Sequence, residues 1–269
     1  SVAGMAVATR GGVGELLREW RQRRRLSQLD LSNVAAVSSR HLSFVETGRS
    51  RPSRELVLHL AECLDVPLRE RNSLLLAAGY APVYQERSLE DDEMDPVRRA
   101  LDAVLAGHGP YPAVIVDRRW DLVSANDAAL GLFAVDVAAE LLEPPINVYR
   151  LALHPEGVAK RVRNLGEYTH HLLTRLQREV ALTGDPDLAA LLDEVRGYPD
   201  MTHPATSAPD PAGMIVLPMQ LTGPDGTELS FFSTLTTFGT PLDITVAELS
   251  IEAFYPADEA TRTFLHGSP

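Results

Sequence analysis

The stretch Leu26–Arg54, LSQLDLSNVAAVSSRHLSFVETGRSRPSR, contains two short helical patterns that are joined by a tight turn. Ser27 is a suitable N-cap for the first helix, because a serine hydroxyl can accept a hydrogen bond from a backbone N–H in the first turn. Leu31, Val34 and Ala35 then fall on one side of that helix, which predicts that this side is buried.

The second helical pattern has its own start and stop signals. Ser38 or Ser39 can cap it, and Leu42 and Val45 are spaced to face inward. Gly48 suits the left-handed residue that follows a helix C-terminus. Two short helices joined by such a turn form a helix-turn-helix unit, whose second helix enters the major groove of DNA.

Polar residues on the second helix are candidates for reading DNA. Those predicted to face away from the buried stripe are Ser39, Arg40, His41, Ser43 and Glu46. Arg49, Arg51 and Arg54 follow as candidate phosphate contacts. The alternative is a helical hairpin whose polar face is merely solvated, because a short motif can match by chance.

Several short motifs in this stretch resemble the XRE or lambda-repressor-type helix-turn-helix family. They are Leu26-Ser27-Gln28, Val37-Ser38, Leu42-Ser43, Glu46-Thr47-Gly48-Arg49 and Pro52-Ser53. The resemblance implies a backbone contact for Gln28, base contacts for Ser38, Ser39, Arg40 and His41, and a buried structural role for Glu46. Ser32 departs from the pattern, because the family commonly has alanine there.

The charge distribution supports a DNA-facing module at the N-terminal end. The whole chain has a net charge of −12, but residues 10–54 contain ten arginines and four acids, a net of +6. From residue 88 to the end there are twelve basic and 28 acidic residues, a net of −16. This asymmetry predicts a basic DNA-binding module joined to an acidic body, with arginine supplying the phosphate contacts.

The length of 269 residues and the 45% hydrophobic composition predict two globular domains. There is no apolar run of about 18 residues and no secretion signal at the start of the sequence, so no membrane association is expected. Cys63 is the one cysteine and excludes an internal disulfide or a cysteine-cluster zinc site. We expect a buried thiol in a protein of the cytoplasm.

The order of predicted elements divides the chain into three parts. Residues 10–85 read as a five-helix, lambda-repressor-like, all-α domain, in which the helix-turn-helix is preceded by an amphipathic helix ending in an arginine cluster. Residues 86–109 begin with the acidic run ERSLEDDEMD and read as a linker with a connector helix. Residues 110–269 form the third part.

This third part predicts an α+β, PAS-like domain with an antiparallel sheet and added helices. Strands are predicted at 112–116, 120–125, 214–221, 228–237 and 246–255. Asn126 or Asp127 caps a helix that runs to Phe133, and two helical stripes occupy the middle. Residues 197–213 read as a loop, and a short helix is predicted from Asp258 to His266.

Four separated segments of this domain resemble the ligand-binding domain of MmyB-like transcription regulators. They are YPAVIVDRRWDLVSANDAALGLF, LALHPEG, LTRLQREVALTGDPDLAALLDEVRGYP and FSTLTTFGTPLDITVAELSIEAFYPADEAT, and they cover nearly all of residues 110–265. The resemblance implies a PAS-like sensor that is attached to an XRE-type DNA reader. It further implies a small apolar ligand such as a fatty acid, and no cofactor is required.

A ligand pocket would form where the sheet and its helices leave the core underfilled. Candidate walls are Phe133, Leu151, Leu172, Leu176, Ile215, Leu217, Phe231, Leu235 and Phe238, and for each of them the alternative is ordinary core packing. Candidate partners for an acyl carboxylate are His154, Arg163, His171, Arg175 and Arg178, with Asn126 and Asn164 as further polar candidates.

Enzyme and metal motifs are lacking in the sequence. There is no HExxH, no GxSxG and no phosphate-binding glycine loop, so we expect neither catalysis nor a metal site. The predicted function is a sequence-specific regulator that binds an operator in double-stranded DNA as a homodimer, with half-sites about one helical turn apart. The alternative is a DNA-binding regulator whose second domain serves for dimerisation or protein contacts alone.

Overall fold

The computed structural model describes residues 11–199 and 217–267. The chain forms two compact units, as the sequence predicts. The first contains the described residues up to Arg87 together with the segment Pro241–Ala247, and the second contains the described residues of Ser88–Thr240 and from Glu248 onward. No helix in the described residues is long and apolar enough to cross a membrane.

The N-terminal unit is built from five helices in the order expected for the lambda-repressor-like fold. They are α1 (Val13–Arg23), α2 (Gln28–Val34), α3 (Ser39–Glu46), α4 (Arg54–Cys63) and α5 (Leu68–Ala77). Leu17, Trp20, Leu31, Leu42 and Leu60 lie in a single buried core. Burial of such side chains contributes about 1.5–3 kcal/mol each, so this core supplies most of the unit's stability.

The turn of the helix-turn-helix is fixed by local signals. Ser27 and Asp30 form a reciprocal capping box at the start of α2, and Ser38 caps α3. Ala36 adopts a left-handed conformation with φ 52° in the turn between them. The side chain of Val34 is 61% exposed, so the expectation that it is buried is wrong: α2 ends there and the chain turns before that face meets α3.

The segment Pro241–Ala247 joins the N-terminal unit although it lies far away in sequence. The Ile244 amide donates to the Gln85 carbonyl at 2.8 Å, and Arg87 Nη1 donates to Asp243 Oδ2 at 2.9 Å. Helix α11 (Ile244–Ala247) occupies the place where the sequence predicts the start of the last strand. The Asp243 carboxylate accepts from the Thr245 amide at 2.9 Å, and this local bond favours a turn over an extended strand.

The C-terminal unit is centred on a five-stranded antiparallel sheet. Its strands are β1 (Ala113–Val116), β2 (Leu122–Ala125), β3 (Met219–Thr222), β4 (Glu228–Thr237) and β5 (Ser250–Pro256). The strand order is β2-β1-β5-β4-β3, so the first and last strands of the domain pair in the middle of the sheet. This arrangement agrees with the expected PAS-like fold.

Two predicted strand limits differ from the structure. Trp120 precedes β2 in a turn and has φ 65°, because the Asp117 carboxylate accepts from the amides of Arg119 and Asp121 and closes the turn. The third strand begins at Met219, and the residues predicted before 217 lie outside the described residues.

Helices cover both faces of the sheet. They are α6 (Asp95–His108), α7 (Asp127–Phe133), α8 (Val148–Leu153), α9 (Leu165–Thr183), α10 (Pro186–Arg196) and α12 (Glu259–His266). Leu101 and Leu105 of the expected connector helix α6 pack against Ile115 and Ile251 on one face. On the other face, α7 to α10 contribute to a larger apolar cluster, and the cavity described below lies within it.

Candidate DNA-binding helix and ligand cavity

The first two residues of the predicted recognition surface have hydrogen bonds within the protein. Ser38 Oγ accepts from the His41 amide at 3.1 Å and caps α3. Ser39 Oγ lies 2.8 Å from Ser32 Oγ, and Ser32 Oγ also donates to the Leu29 carbonyl. The serine that departs from the family's alanine therefore joins α2 to α3, and these bonds fix the first turn of α3.

Arg40 and Arg49 are the exposed cations at the two ends of α3. The Arg40 guanidinium lies 5.4 Å from the centre of the Phe44 ring, so its side chain rests on the helix with its donors available to solvent. His41 and Ser43 are half-buried on the same helix. Arg40 therefore has the reach that a base contact needs, and Arg49 follows where phosphate contacts are expected.

Arg51 has a bond inside the domain. Its Nη2 donates to the Ala78 carbonyl at 2.9 Å, and its guanidinium lies 5.4 Å from the Tyr80 ring centre. The Tyr80 hydroxyl donates in turn to the Pro52 carbonyl at 3.0 Å. This arrangement stabilises the C-terminal end of α5. Phosphate contact by Arg51 stays a prediction, and it would have to coexist with these bonds.

A buried ion pair supports the helix-turn-helix from inside. Arg21 Nε and Nη2 donate to the Glu46 carboxylate at 2.7 and 2.9 Å, and Arg21 Nη1 donates to the Leu26 carbonyl. Gln28 Nε2 donates to Glu46 Oε2 at 2.9 Å. Burial by itself would raise the pKa of Glu46, but the hydrogen bonds from Arg21 and Gln28 and the positive charges of Arg21 and Arg18 hold it below its ordinary value.

The C-terminal unit contains an apolar cavity between the sheet and its helices. The cavity has a volume of about 90 Å³. This is several times the roughly 10–15 Å³ that one water molecule needs. Side chains such as Val114, Phe133, Leu151, Leu172 and Phe254 line it, and they come from strands and helices throughout the domain. An underfilled apolar space of this kind suits a small apolar molecule.

One side of this cavity carries an ion pair. Arg175 Nη1 and Nη2 donate to Glu252 Oε1 and Oε2 at 3.0 and 3.3 Å, and Ser233 Oγ donates to Glu252 Oε1 at 2.9 Å. The Arg175 guanidinium lies 4.2 Å from the centre of the Trp120 ring. Burial opposes the charge of Arg175, but the Glu252 carboxylate outweighs it and raises the pKa of Arg175 above its ordinary value.

Tyr149 lies beside this ion pair. Its ring centre is 5.1 Å from that of Trp120, and its hydroxyl is buried without a hydrogen-bond partner among the residues that the structure describes. Trp120 Nε1 donates to Glu179 Oε2 at 2.9 Å. Burial raises the pKa of Glu179, and the hydrogen bond from Trp120 and the charge of Arg175 offset this effect only in part.

A smaller cavity of about 20 Å³ adjoins the main one. It shares Arg175, Glu252 and Leu172 with the main cavity and adds His171 and Phe231. Burial lowers the pKa of His171, and the charge of Arg175 lowers it further. Both effects favour the neutral form of the His171 imidazole.

Family comparison identifies both units. The sequence model described as the MmyB-like transcription regulator ligand binding domain matches residues 97–266, and a helix-turn-helix domain model matches residues 13–74. The chain belongs to the MmyB-like transcription regulators. This MmyB-like regulator thus joins a DNA-binding helix-turn-helix domain to a ligand-binding domain, and the latter contains the apolar cavity.

Individual proteins resemble this chain in part or over most of its length. The transcriptional regulator ClgR of Mycobacterium tuberculosis, in the strains CDC 1551 / Oshkosh and ATCC 25618 / H37Rv, is 36% identical over 83 residues, which cover 31% of this chain and 71% of ClgR. A solved structure of an RNA-binding Light-Oxygen-Voltage receptor aligns with a TM-score of 0.26 and 14% identity over 97% of this chain and 62% of that chain. A likeness this weak does not bear on the function of the MmyB-like regulator.

The structure brings some of the predicted ligand residues together and separates others. Phe133, Leu151, Leu172 and Arg175 line the main cavity, and His171, Leu217 and Phe231 line the smaller one. Leu176 is fully buried in the filled part of the core. The remaining apolar candidates are Leu235, which is 46% exposed, Phe238, which packs on the other face of the sheet, and Ile215, which lies outside the described residues.

The polar candidates other than Arg175, His171 and Arg178 have structural partners. Asn126 caps α7 and also donates to the Tyr111 carbonyl, and Asn164 joins α9 to β3 through the Pro218 carbonyl and the Gln220 amide. His154 accepts from the Glu156 amide and packs on Tyr198, while Arg163 pairs with Glu228 and Arg178 is exposed. Their predicted ligand contacts are not supported by these positions.

Sequence reasoning missed most of the cavity wall, including the residues other than Arg175 that bring polar side-chain groups to it: Trp120, Tyr149, Tyr168 and Glu252. One signal could have revealed Glu252, because it is a single carboxylate within the apolar strand segment Ile251–Phe254 and needs a buried cation. Trp120 and Tyr149 gave no such signal, since aromatic residues in apolar surroundings usually belong to filled core.

Proposed function

We propose that this MmyB-like regulator controls transcription in response to a small apolar ligand of the acyl-chain type, which binds in the cavity beneath the sheet. The observation that carries the proposal is the cavity itself, walled by apolar side chains from β1, α7, α8 and α9. A fatty-acid-like chain would fit this lining, and burial of each CH₂ group would contribute about 0.8 kcal/mol. We further propose that the regulator acts in the cytoplasm.

The DNA half of the proposal assigns sequence recognition to α3. The exposed Arg40 and the half-buried His41 and Ser43 would face base edges, and Arg49 and Gln28 would contact the backbone. The acidic body would repel phosphate and leave one face for DNA. We propose that a homodimer presents two copies of α3 to half-sites about one helical turn apart.

The ligand half is tested by native mass spectrometry of the full chain, followed by denaturing extraction of small molecules. A defined apolar compound near one per chain supports the proposal. Addition of the extracted compound should raise the melting temperature by mass action and change the affinity for operator DNA. A Leu172→Trp variant, which fills the cavity, should lose both responses. A dimer that binds DNA and responds to no apolar compound would support the alternative of a dimerisation module.

The DNA half is tested by comparing Arg40→Ala with Arg49→Ala on operators that are selected from random DNA. Arg40→Ala should cost about 1–3 kcal/mol on the selected sequence and relax the preference at one base pair. Arg49→Ala should weaken binding about equally on all sequences and reduce the salt dependence by about one counterion. If both variants weaken every sequence equally, α3 does not read bases through Arg40.

A further inference from the structure

The polar groups on the cavity wall restrict the head group of the ligand, and this deduction rests on the proposed function. Among the described residues, the polar side-chain groups of the wall come from Trp120, Tyr149, Tyr168, Arg175 and Glu252. Arg175 is the cation in this set, and Glu252 balances its charge. What the cavity can bind therefore depends on which of their donors and acceptors are already used.

The positive charge of Arg175 is already neutralised. Both of its terminal nitrogens donate to the two oxygens of Glu252, and the pair is largely shielded, with side-chain exposures of 23% and 11%. A second carboxylate, Glu179, lies one turn after Arg175 on α9 and accepts the indole N–H of Trp120. A ligand carboxylate would enter as an unpaired anion beside these two acids, and a buried unpaired charge is strongly unfavourable.

Two polar atoms of these side chains have unused hydrogen-bonding capacity. Arg175 Nε and the Tyr149 hydroxyl are both buried and have no hydrogen-bond partner within the described part of the chain. Both side chains contact the Trp120 ring, at 4.2 Å for the guanidinium and 5.1 Å for the Tyr149 ring centre. Together they offer two donors and one acceptor, which match one uncharged oxygen of a ligand.

The other cations that the sequence predicts as partners of a ligand carboxylate cannot take the place of Arg175. Arg163 pairs with Glu228, Arg178 is exposed, and neither lines the main cavity or the smaller one. His154 packs on Tyr198 away from the wall. His171 lines the smaller cavity, but burial and Arg175 favour its neutral form.

We infer that the cavity selects an uncharged apolar molecule with a single hydroxyl or carbonyl oxygen, bound by Tyr149 Oη and Arg175 Nε, in preference to the carboxylate of the same chain length. The ligand class is thus a medium-chain alcohol or ketone. The Arg175–Glu252 pair acts as the selectivity element, because it keeps this wall neutral while leaving the Nε–H donor of Arg175 unused.

The test compares decan-1-ol, decan-2-one and decanoate by calorimetric titration of the full chain at pH 7.5. The alcohol and the ketone should each bind at least about tenfold more tightly than decanoate. The anion would lose its hydration without gaining a cation that lacks a partner. The three probes have the same number of carbon atoms, so the apolar contribution to binding is nearly constant among them.

Two variants examine the selectivity element. Glu252→Gln removes the neutralising charge, so decanoate affinity should rise about tenfold while decan-1-ol affinity changes less than about threefold. Tyr149→Phe should weaken decan-1-ol binding about threefold or more and leave the fold intact, because its hydroxyl has no partner in the described residues. Tyr198→Phe is the matched control, since its hydroxyl donates to Glu194 outside the cavity.

The outcomes separate this inference from the proposed function. Decanoate that binds wild-type protein as tightly as decan-1-ol overturns the inference and leaves an apolar sensor in place. Glu252→Gln with no gain for decanoate, in a variant that melts like wild type, also overturns it. If none of the three probes binds or raises the melting temperature, both the inference and the apolar-ligand function fail.

Discussion

Each unit of this MmyB-like regulator contains an arginine–glutamate pair that is largely shielded from solvent, and the two pairs have different surroundings. In the N-terminal unit, all three guanidinium nitrogens of Arg21 donate to Glu46 or to the Leu26 carbonyl, and Gln28 completes the carboxylate. In the C-terminal unit, Arg175 leaves its Nε without a partner in the described residues, and the pair borders a cavity. A pair in which every guanidinium nitrogen donates within the protein is structural, whereas a pair with a nitrogen left over can bind a ligand.

The cores of the two units differ in the same way. The side chains of Leu17, Leu60 and Ala61 are at most 1% exposed in the N-terminal core. The C-terminal core has comparable buried residues, such as Leu176 and Leu153, but part of it is the apolar cavity. A unit that reads DNA needs a closely packed core as a rigid support for its recognition helix. A unit that binds a ligand leaves its core incompletely packed at the binding site.

The largest expected effect is the loss of the structural pair. Glu46→Ala would leave Arg21 charged and buried, and breaking such a pair costs about 3–5 kcal/mol. We expect faster hydrogen exchange at the amides of α2 and α3 and a lower urea midpoint for the N-terminal unit. Unchanged protection of these helices would show that the pair is not what holds the helix-turn-helix together. Glu252→Ala is the matched change in the C-terminal unit and should leave α2 and α3 protected.

A second comparison tests filled against unfilled packing. Ala61 is fully buried in the N-terminal core, so Ala61→Leu should destabilise that unit by about 1–3 kcal/mol. Ala152 lines the cavity, so Ala152→Leu should change the free energy of unfolding by less than about 1 kcal/mol. Urea denaturation measures both variants. Equal losses for the two would mean that the cavity cannot accept extra carbon atoms, which would also count against ligand binding there.

The smallest expected effect is a pH dependence of opposite sign in the two units. The pKa of Glu46 is lowered below its ordinary value of 4.5, so its stabilisation is complete above about pH 5 and is lost as pH falls through the folded pKa. The pKa of Glu179 is raised above 4.5, so its ionisation opposes folding at neutral pH, and this penalty disappears as pH falls towards 4.5.

Glutamine variants measure these two contributions. Glu46→Gln should be less stable than wild type at pH 7, and the difference should shrink below about pH 4.5. Glu179→Gln keeps an acceptor for Trp120 and should be at least as stable as wild type at pH 8, with a difference that shrinks towards pH 5. The test is the melting temperature of each variant and of the wild type across this pH range. If the difference from wild type changes with pH in the same way for both variants, the opposite pKa shifts of Glu46 and Glu179 are contradicted.

The sequence determined the helix-turn-helix almost completely, because its signals are local. Ser27, Ser38 and Gly48 each act within one helical turn, and the structure uses all three as predicted. The exposed Val34 is the exception, since its burial depended on where α3 packs. The strands of the second unit were also readable from their apolar runs, although the turn at Trp120 depended on the Asp117 carboxylate.

Only the tertiary structure decided the ligand cavity and its chemistry. Leu172 and Leu176 lie one turn apart on the same stripe of α9, but Leu172 lines the cavity and Leu176 is fully buried in the core. Sequence periodicity predicts which face of a helix is buried, but it does not predict what packs against that face. Arg175 and Glu252 are 77 residues apart, and Arg87 and Asp243 are 156 apart. No local sequence pattern predicts that such residues will pair. They are brought together by the antiparallel sheet and by the packing of the chain.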